Sequence, residues 1–227
     1  GSVQVVSAGV LVGPLVLAEE APIWDSHLSV ALSNVGKLHG TEVRVSGVSG
    51  LVEAAVACGM VGRSSLTAQV ASTANVNALR GGHVEITGGS SLLSTVIDPS
   101  AIFSGSLIKV SAVDVANVRG EPRSVSVNSG SALIARVVDV NGSATRSAIE
   151  VSLARAANVW DGPQLVSLTG ASSLIDVAVA LLRESPMNSS SIKASLVHVA
   201  NVQGEPREVV SLIDSALIKD VVLAGSS

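Results

Sequence analysis

The sequence predicts an all-β chain, a single-domain β-solenoid of parallel strands over residues 1–227, and three observations predict it. A motif of about 41 residues returns five times. Within each copy the apolar residues alternate with a period of two, which is the period of strands and not of helices. The apolar residues, 47% of the chain, are Val, Leu, Ile and Ala, with no Tyr, one Phe and two Trp. Ordinary cores use aromatic rings to fill large, irregular spaces. A core that nearly omits them implies a narrow interior where one small space recurs and branched aliphatics stack on copies of themselves. Abundant Ser and Gly with only 14% charged residues suit short strands and tight turns.

The dipeptide Asn-Val marks the period, because internal repeats are the first thing to settle in such a chain. It stands at Asn34-Val35, Asn75-Val76, Asn117-Val118, Asn158-Val159 and Asn201-Val202, at spacings of 41, 42, 41 and 43. Other features keep phase with it. About ten residues on comes an alternating apolar pair, Val43/Val45, Val84/Ile86, Val125/Val127, Val166/Leu168 and Val210/Leu212. Leu51, Leu92, Leu133, Leu174 and Leu217 follow, often after Ser, and Leu66, Ile108, Ile149 and Ile192 precede the dipeptide. Two copies share a turn, Gly120-Glu121-Pro122-Arg123 and Gly204-Glu205-Pro206-Arg207.

The organisation read from this pattern is a half-repeat over residues 1–25 followed by five repeats. Val3-x-Val5 matches Val125-x-Val127, and Leu11-Val12 matches Leu133-Ile134. Residues 1–18 carry no charge, yet they lack a basic leader, Pro14 interrupts them, and Glu19-Glu20 close them, so no membrane insertion is expected from this segment. Neither end looks like the polar cap that solenoids need. The expectation is a piece of a longer repeat array, with self-association through its ends.

Residues 107–147 serve as the type copy. The alternation predicts strands near 107–112, 113–117, 124–128 and 132–140, with turns at Gly120–Pro122, Asn128–Gly130 and Asn141-Gly142. Inward positions are Ile108, Val110, Val113, Val115, Val125, Val127, Leu133 and Val137, and a break between Ala112 and Val113 implies a corner. The nearest thing to a helix is a short turn over Val177–Glu184. Each copy makes either one turn of the solenoid or two of about 20 residues. Lys109, Glu150 and Lys193 alternate in sign along consecutive copies, and Asp114 is followed by Arg155. With one turn per copy these charges lie about 4.8 Å apart and pair. Asn34, Asn75, Asn117, Asn158 and Asn201 then form a structural ladder at a turn, each side-chain amide bonding the next. A propeller has a similar period, but its blades carry aromatic motifs that are missing here.

Repeats of the form Ser-x-Ile-x-Val, then Asn-Val, then Ser-x-Leu-Ile resemble right-handed parallel β-helix surface proteins of the pectin-lyase-like class. The Val/Ser/Ala-rich texture is also similar to the large dispersed-gene-family surface proteins of kinetoplastid parasites. The resemblance is one of texture and period over the whole chain. It implies an extracellular or cell-surface setting and an adhesive role, and it carries over no functional residue.

The net charge of −4 and the scattered Lys and Arg, with few aromatics to stack on bases, argue against nucleic acid. Cys58 sits in an apolar run and reads as a buried thiol. His27, His39, His83 and His198 occupy different phases of the repeat and make no metal site. Parallel β-helices often act on polysaccharides through paired carboxylates, and here Asp98 and Asp139 fall on adjacent rungs at about 5 Å. Both also read as turn aspartates, and only Trp24, Phe103 and Trp160 could serve as sugar platforms. Sequons at Asn141-Gly-Ser143 and Asn188-Ser-Ser190 fall in predicted turns, as glycosylation sites of a glycoprotein do. The function expected is a non-enzymatic extracellular segment for adhesion or spacing, with no cofactor and with a glycan or a host protein as partner. The alternatives are a carbohydrate-active enzyme with its site partly outside this sequence and an assembly scaffold stacking through its ends.

Overall fold

The computed structural model describes residues 1–6, 10–13, 16–18, 21–47, 50–53, 55–161, 163–181, 187–203 and 210–224. Every regular element among them is a strand. The first copy holds β1 (Ser2–Val6), β2 (Val10–Val12), β3 (Val16–Ala18), β4 (Ile23–Trp24) and β5 (His27–Ser33). It is followed by β6 (Leu38–Ser46), β7 (Gly50–Val52), β8 (Val56–Gly62) and β9 (Ser65–Ala71). Next come β10 (Val76–Thr87), β11 (Ser91–Leu93), β12 (Ile97–Phe103) and β13 (Leu107–Val113). The type copy continues with β14 (Val118–Gly120), β15 (Ser124–Asn128), β16 (Ala132–Val140), β17 (Ala144–Thr145) and β18 (Ala148–Ala154). The chain closes with β19 (Leu165–Thr169), β20 (Ser173–Leu181), β21 (Met187–Asn188), β22 (Ser191–Val197), β23 (Val210–Ile213) and β24 (Ala216–Ala224).

These strands form three all-parallel sheets. The first runs β1-β6-β10-β15-β19-β23, with β14 also on β10, and the third runs β22-β18-β13-β9-β5. The second gathers the strands between them, including β2-β7-β11-β16, then β20 and β24. Each strand bonds to its counterpart in the neighbouring copy. The smallest offset, 38 residues, sets His27 against Ser65, and the largest, 44, sets Val166 against Val210. Pairing at about 20 residues, which two turns per copy would need, does not occur among the described residues.

Alternation decides what each strand buries. In β13, Ile108, Val110 and Ala112 are buried while Lys109 faces solvent. Leu66, Ala68 and Val70 lie on one side of this row and Ile149, Val151 and Leu153 on the other, all buried. The first sheet does the same with Val84, Val125 and Val166 and with Ile86, Val127 and Leu168. Each such Val, Leu or Ile contributes about 1.5–3 kcal/mol on full burial. Identical spaces between identical backbones are filled by branched aliphatics, so the core has little use for rings.

The corners depend on left-handed backbone. Asp114 (φ 61°) and Ala116 (φ 51°) turn the chain out of β13, and the same pair recurs at Ser72/Ala74, Arg155/Ala157 and His198/Ala200. This places a corner at Asp114–Asn117 where the alternation predicts a strand over 113–117. Val113 is accordingly only half-buried, and Ala112 takes the inward place expected for it. No helical turn forms at 177–181, which belongs to β20, and the rest of that predicted turn lies outside the described residues. The turn at Gly204–Arg207 also lies outside them.

Candidate functional site

The most organised polar feature is a column of asparagines at the corner before the first sheet. Asn75, Asn117 and Asn158 are buried there. The backbone N–H of Asn117 donates to Asn75 Oδ1 at 2.8 Å, that of Asn158 to Asn117 Oδ1 at 2.9 Å, and that of Asn201 to Asn158 Oδ1 at 2.8 Å. In return Asn75 Nδ2 donates to Asp114 O at 2.8 Å, Asn117 Nδ2 to Arg155 O at 2.9 Å and Asn158 Nδ2 to His198 O at 3.0 Å. The ladder therefore runs from side chain to backbone, not from amide to amide as expected. A left-handed corner turns its N–H and C=O towards the neighbouring copies, and one carboxamide satisfies both at once.

Asn34 stands outside this column. It is exposed, has φ 60°, and bonds Ser33 Oγ and Lys37 Nζ. The local offset is 38 residues, with Val76 opposite Leu38, so the residue aligned with Asn75 is Lys37. Asn34 instead takes the corner position of Ser72 and Asp114. Farther along β10 the offset becomes 41, with His83 opposite Glu42.

Serine columns do the same work at the other two corners. The N–H groups of Ser90, Ser131 and Ser172 donate to the Oγ of Ser131, Ser172 and Ser215 at 3.2, 3.3 and 3.2 Å. Ser26 and Ser64 pass N–H bonds to Ser64 and Ser106, and Ser147 to Ser190. Sequence reasoning missed these residues. Their signal was present, since each column repeats at the spacing of the asparagines.

Asp98 and Asp139 are brought together, because Ile97 pairs with Val138 and the two aspartates follow on neighbouring strands. Asn141 Nδ2 donates to Asp98 Oδ1 at 3.1 Å. Asp139 is only 6% exposed and is ion-paired to Arg136, while its Oδ1 has no hydrogen-bond partner. Cys58, buried one strand away, is pushed up to about 11 by burial and then by the charge of Asp98, so it stays a thiol.

Two of the three aromatic residues also meet. Trp24 and Phe103 stack at 6.5 Å between centroids, and Trp24 lies across Gly62 on the strand between them. Beside them Arg63 holds Asp25 with bonds of 2.7 and 2.6 Å and keeps that carboxyl below its usual value. His83 Nδ1 lies 2.7 Å from Ser124 Oγ, while His27, His39 and His198 sit on other strands or corners. Lys109 meets Glu150 at 3.7 Å, with Lys193 next in register, whereas Asp114 pairs with Arg119 and not with Arg155. Asn141 is exposed just after β16. Asn188 lies in β21 opposite Thr145, in a strand where a turn was expected. No helix among the described residues is long and apolar enough to cross a membrane.

No protein-family model matches the chain, and no curated protein or solved structure matches it.

Proposed function

We propose that the chain is a right-handed parallel β-helix segment making one turn per copy, and that it serves as a non-enzymatic extracellular or cell-surface module for adhesion or spacing. The observation that carries this reading is the use made of the corner side chains. Asn75, Asn117 and Asn158 spend their carboxamides on the backbone of adjoining copies, and Ser131 and Ser172 accept a backbone N–H of the preceding copy on Oγ. A stack held this way along every corner is stiff and extends by adding copies, which suits a spacer or a displayed surface. The exposed position of Asn141 fits a glycosylated surface protein.

Two measurements test it. Surface labelling of producing cells with a membrane-impermeant biotin reagent should tag the protein, and labelling only after lysis would overturn the surface reading. Incubation with a panel of neutral and acidic polysaccharides should release no new reducing or unsaturated ends. Release abolished by Asp139→Asn would instead support the second reading, a carbohydrate-active enzyme using Asp98 and Asp139, which the orphaned Asp139 Oδ1 favours.

A further inference from the structure

One outward column in the middle of the first sheet changes its chemistry at every rung. Glu42, His83, Ser124 and Leu165 lie in register on β6, β10, β15 and β19, about 4.8 Å from strand to strand. Their neighbours Val43, Val84, Val125 and Val166 are buried, so these four point outward. The asparagine and serine columns keep one residue type from copy to copy, because the same corner must be bonded each time. No such repetition occurs here, so packing does not set the choice of residues. The register is itself made just before His83, where β10 shifts its pairing between Ala78 and His83. Irregularities of this kind re-aim a side chain.

His83 Nδ1 and Ser124 Oγ are 2.7 Å apart. With the ring proton on Nε2, the hydroxyl donates to Nδ1 and can pass its proton there. Glu42, in register on the other side of His83, makes no hydrogen bond or ion pair among the described residues, so its carboxylate is available to hold that tautomer. A hydroxyl beside a base, with a carboxylate behind the base, is the arrangement of an activated nucleophile. On the far side of Ser124, Leu165 is 38% exposed and offers an apolar surface one rung away. On the near side lies a shallow cavity lined by Ser2, Gln4, Glu42, Arg44, His83 and Glu85, which gives a leaving alcohol a polar place to go.

We propose that Ser124 is an acyl-acceptor site for activated esters that carry an apolar acyl group. Ser124 Oγ forms a bond to the acyl carbon while its proton passes to His83 Nδ1. The carbon–oxygen bond of the ester then breaks, and the alcohol leaves with the proton from His83. The products are an O-acylserine and a free alcohol, with no redox change and no further reactant. The acyl chain lies over Leu165, and Glu42 acts as a positioning residue for the imidazole. Backbone donors beside the site are spent on the ladder, Arg123 N on Gly82 O and Leu165 N on Arg123 O. No pair of N–H groups is therefore left to hold an oxyanion, and acylation is a single event and not turnover. A single acylation leaves the non-enzymatic reading untouched, and the polysaccharide screen tests that reading independently.

Incubation of the full chain with p-nitrophenyl butyrate near neutral pH tests the site, read by p-nitrophenolate release, intact mass and mapping of the modified peptide. The expected result is a burst of roughly one equivalent per chain, with the butyryl group on Ser124. Ser124→Ala should remove the burst, and His83→Ala should slow it at least tenfold. Glu42→Gln should slow it severalfold while Glu42→Asp recovers part of the rate, as a carboxylate that positions the imidazole requires. Ser126→Ala, two residues along β15 and opposite Glu85, should change nothing. These side chains all lie on the outer face, so the β circular dichroism spectrum should stay the same throughout. Absence of a burst, label spread over other serines and lysines at the same rate, or a burst that survives His83→Ala would each overturn the proposal.

Discussion

Replacing Asn117 by Ala tests the column where it is most buried. Asn117 is 0% exposed, and its side chain takes the N–H of Asn158 at 2.9 Å and gives to Arg155 O at 2.9 Å. Alanine leaves the Asn158 donor and the Arg155 acceptor without those bonds in a fully buried corner. An orphaned buried group costs about 1–3 kcal/mol, so the pair should cost about 2–4 kcal/mol after the backbone relaxes. For a chain of this length that is a fall in Tm of roughly 5–15 °C. Asn117→Asp keeps the acceptor, loses the donor and buries a charge, so it should not rescue. Asn34→Gly is the control, since it removes an exposed side chain and keeps a residue suited to φ 60°. It should cost within about 0.5 kcal/mol. Denaturant unfolding followed by circular dichroism measures all three. Equal small losses at Asn117 and Asn34 would refute the claim that the column carries stability.

Glycine substitutions should separate crowding from backbone strain. A Cβ on Gly120 (φ +91°) would lie 1.9 Å from Ala78 O, whereas one on Gly81 (φ +72°) meets nothing within 4 Å. Gly120→Ala should therefore cost about 3 kcal/mol or more and Gly81→Ala about 1 kcal/mol; similar values in urea unfolding would contradict the close approach. Cys58 should react with a disulfide reagent at pH 8 about 100-fold more slowly than a free thiol, because a group held at about 11 is almost wholly protonated there. Because its folded value is raised, its contribution to stability is intact below the ordinary thiol range and is lost as pH climbs towards 11. A Cβ on Gly62 would fall 2.0 Å from the Trp24 ring, so Gly62→Ala should displace that ring and shift its fluorescence to the red, read in a Trp160→Phe background.

The sequence by itself determined the strands, the parallel repeat and most of the inward-facing rows. Alternation of Ile, Val and Leu with Ser and Lys has only one strand solution, and a repeated pattern buries itself best against its own copy. It also located Asn75, Asn117, Asn158 and Asn201, because the offsets between those copies stay near the period. Asn34 escaped for the opposite reason. Its copy runs at an offset of 38 through β5 and regains 41 only after Gly81-Gly82, so an Asn-Val at the right linear distance lands three residues away in space. The corner at Asp114–Asn117 was equally hidden, because Val113 and Val115 continue a strand-like alternation while two left-handed residues turn the chain. Serine columns were masked by the abundance of Ser elsewhere. That Asp139 is buried with one oxygen unpaired, only the tertiary structure decided. It depends on what the neighbouring copies place around a residue, and a linear period records what repeats but not what each copy packs against.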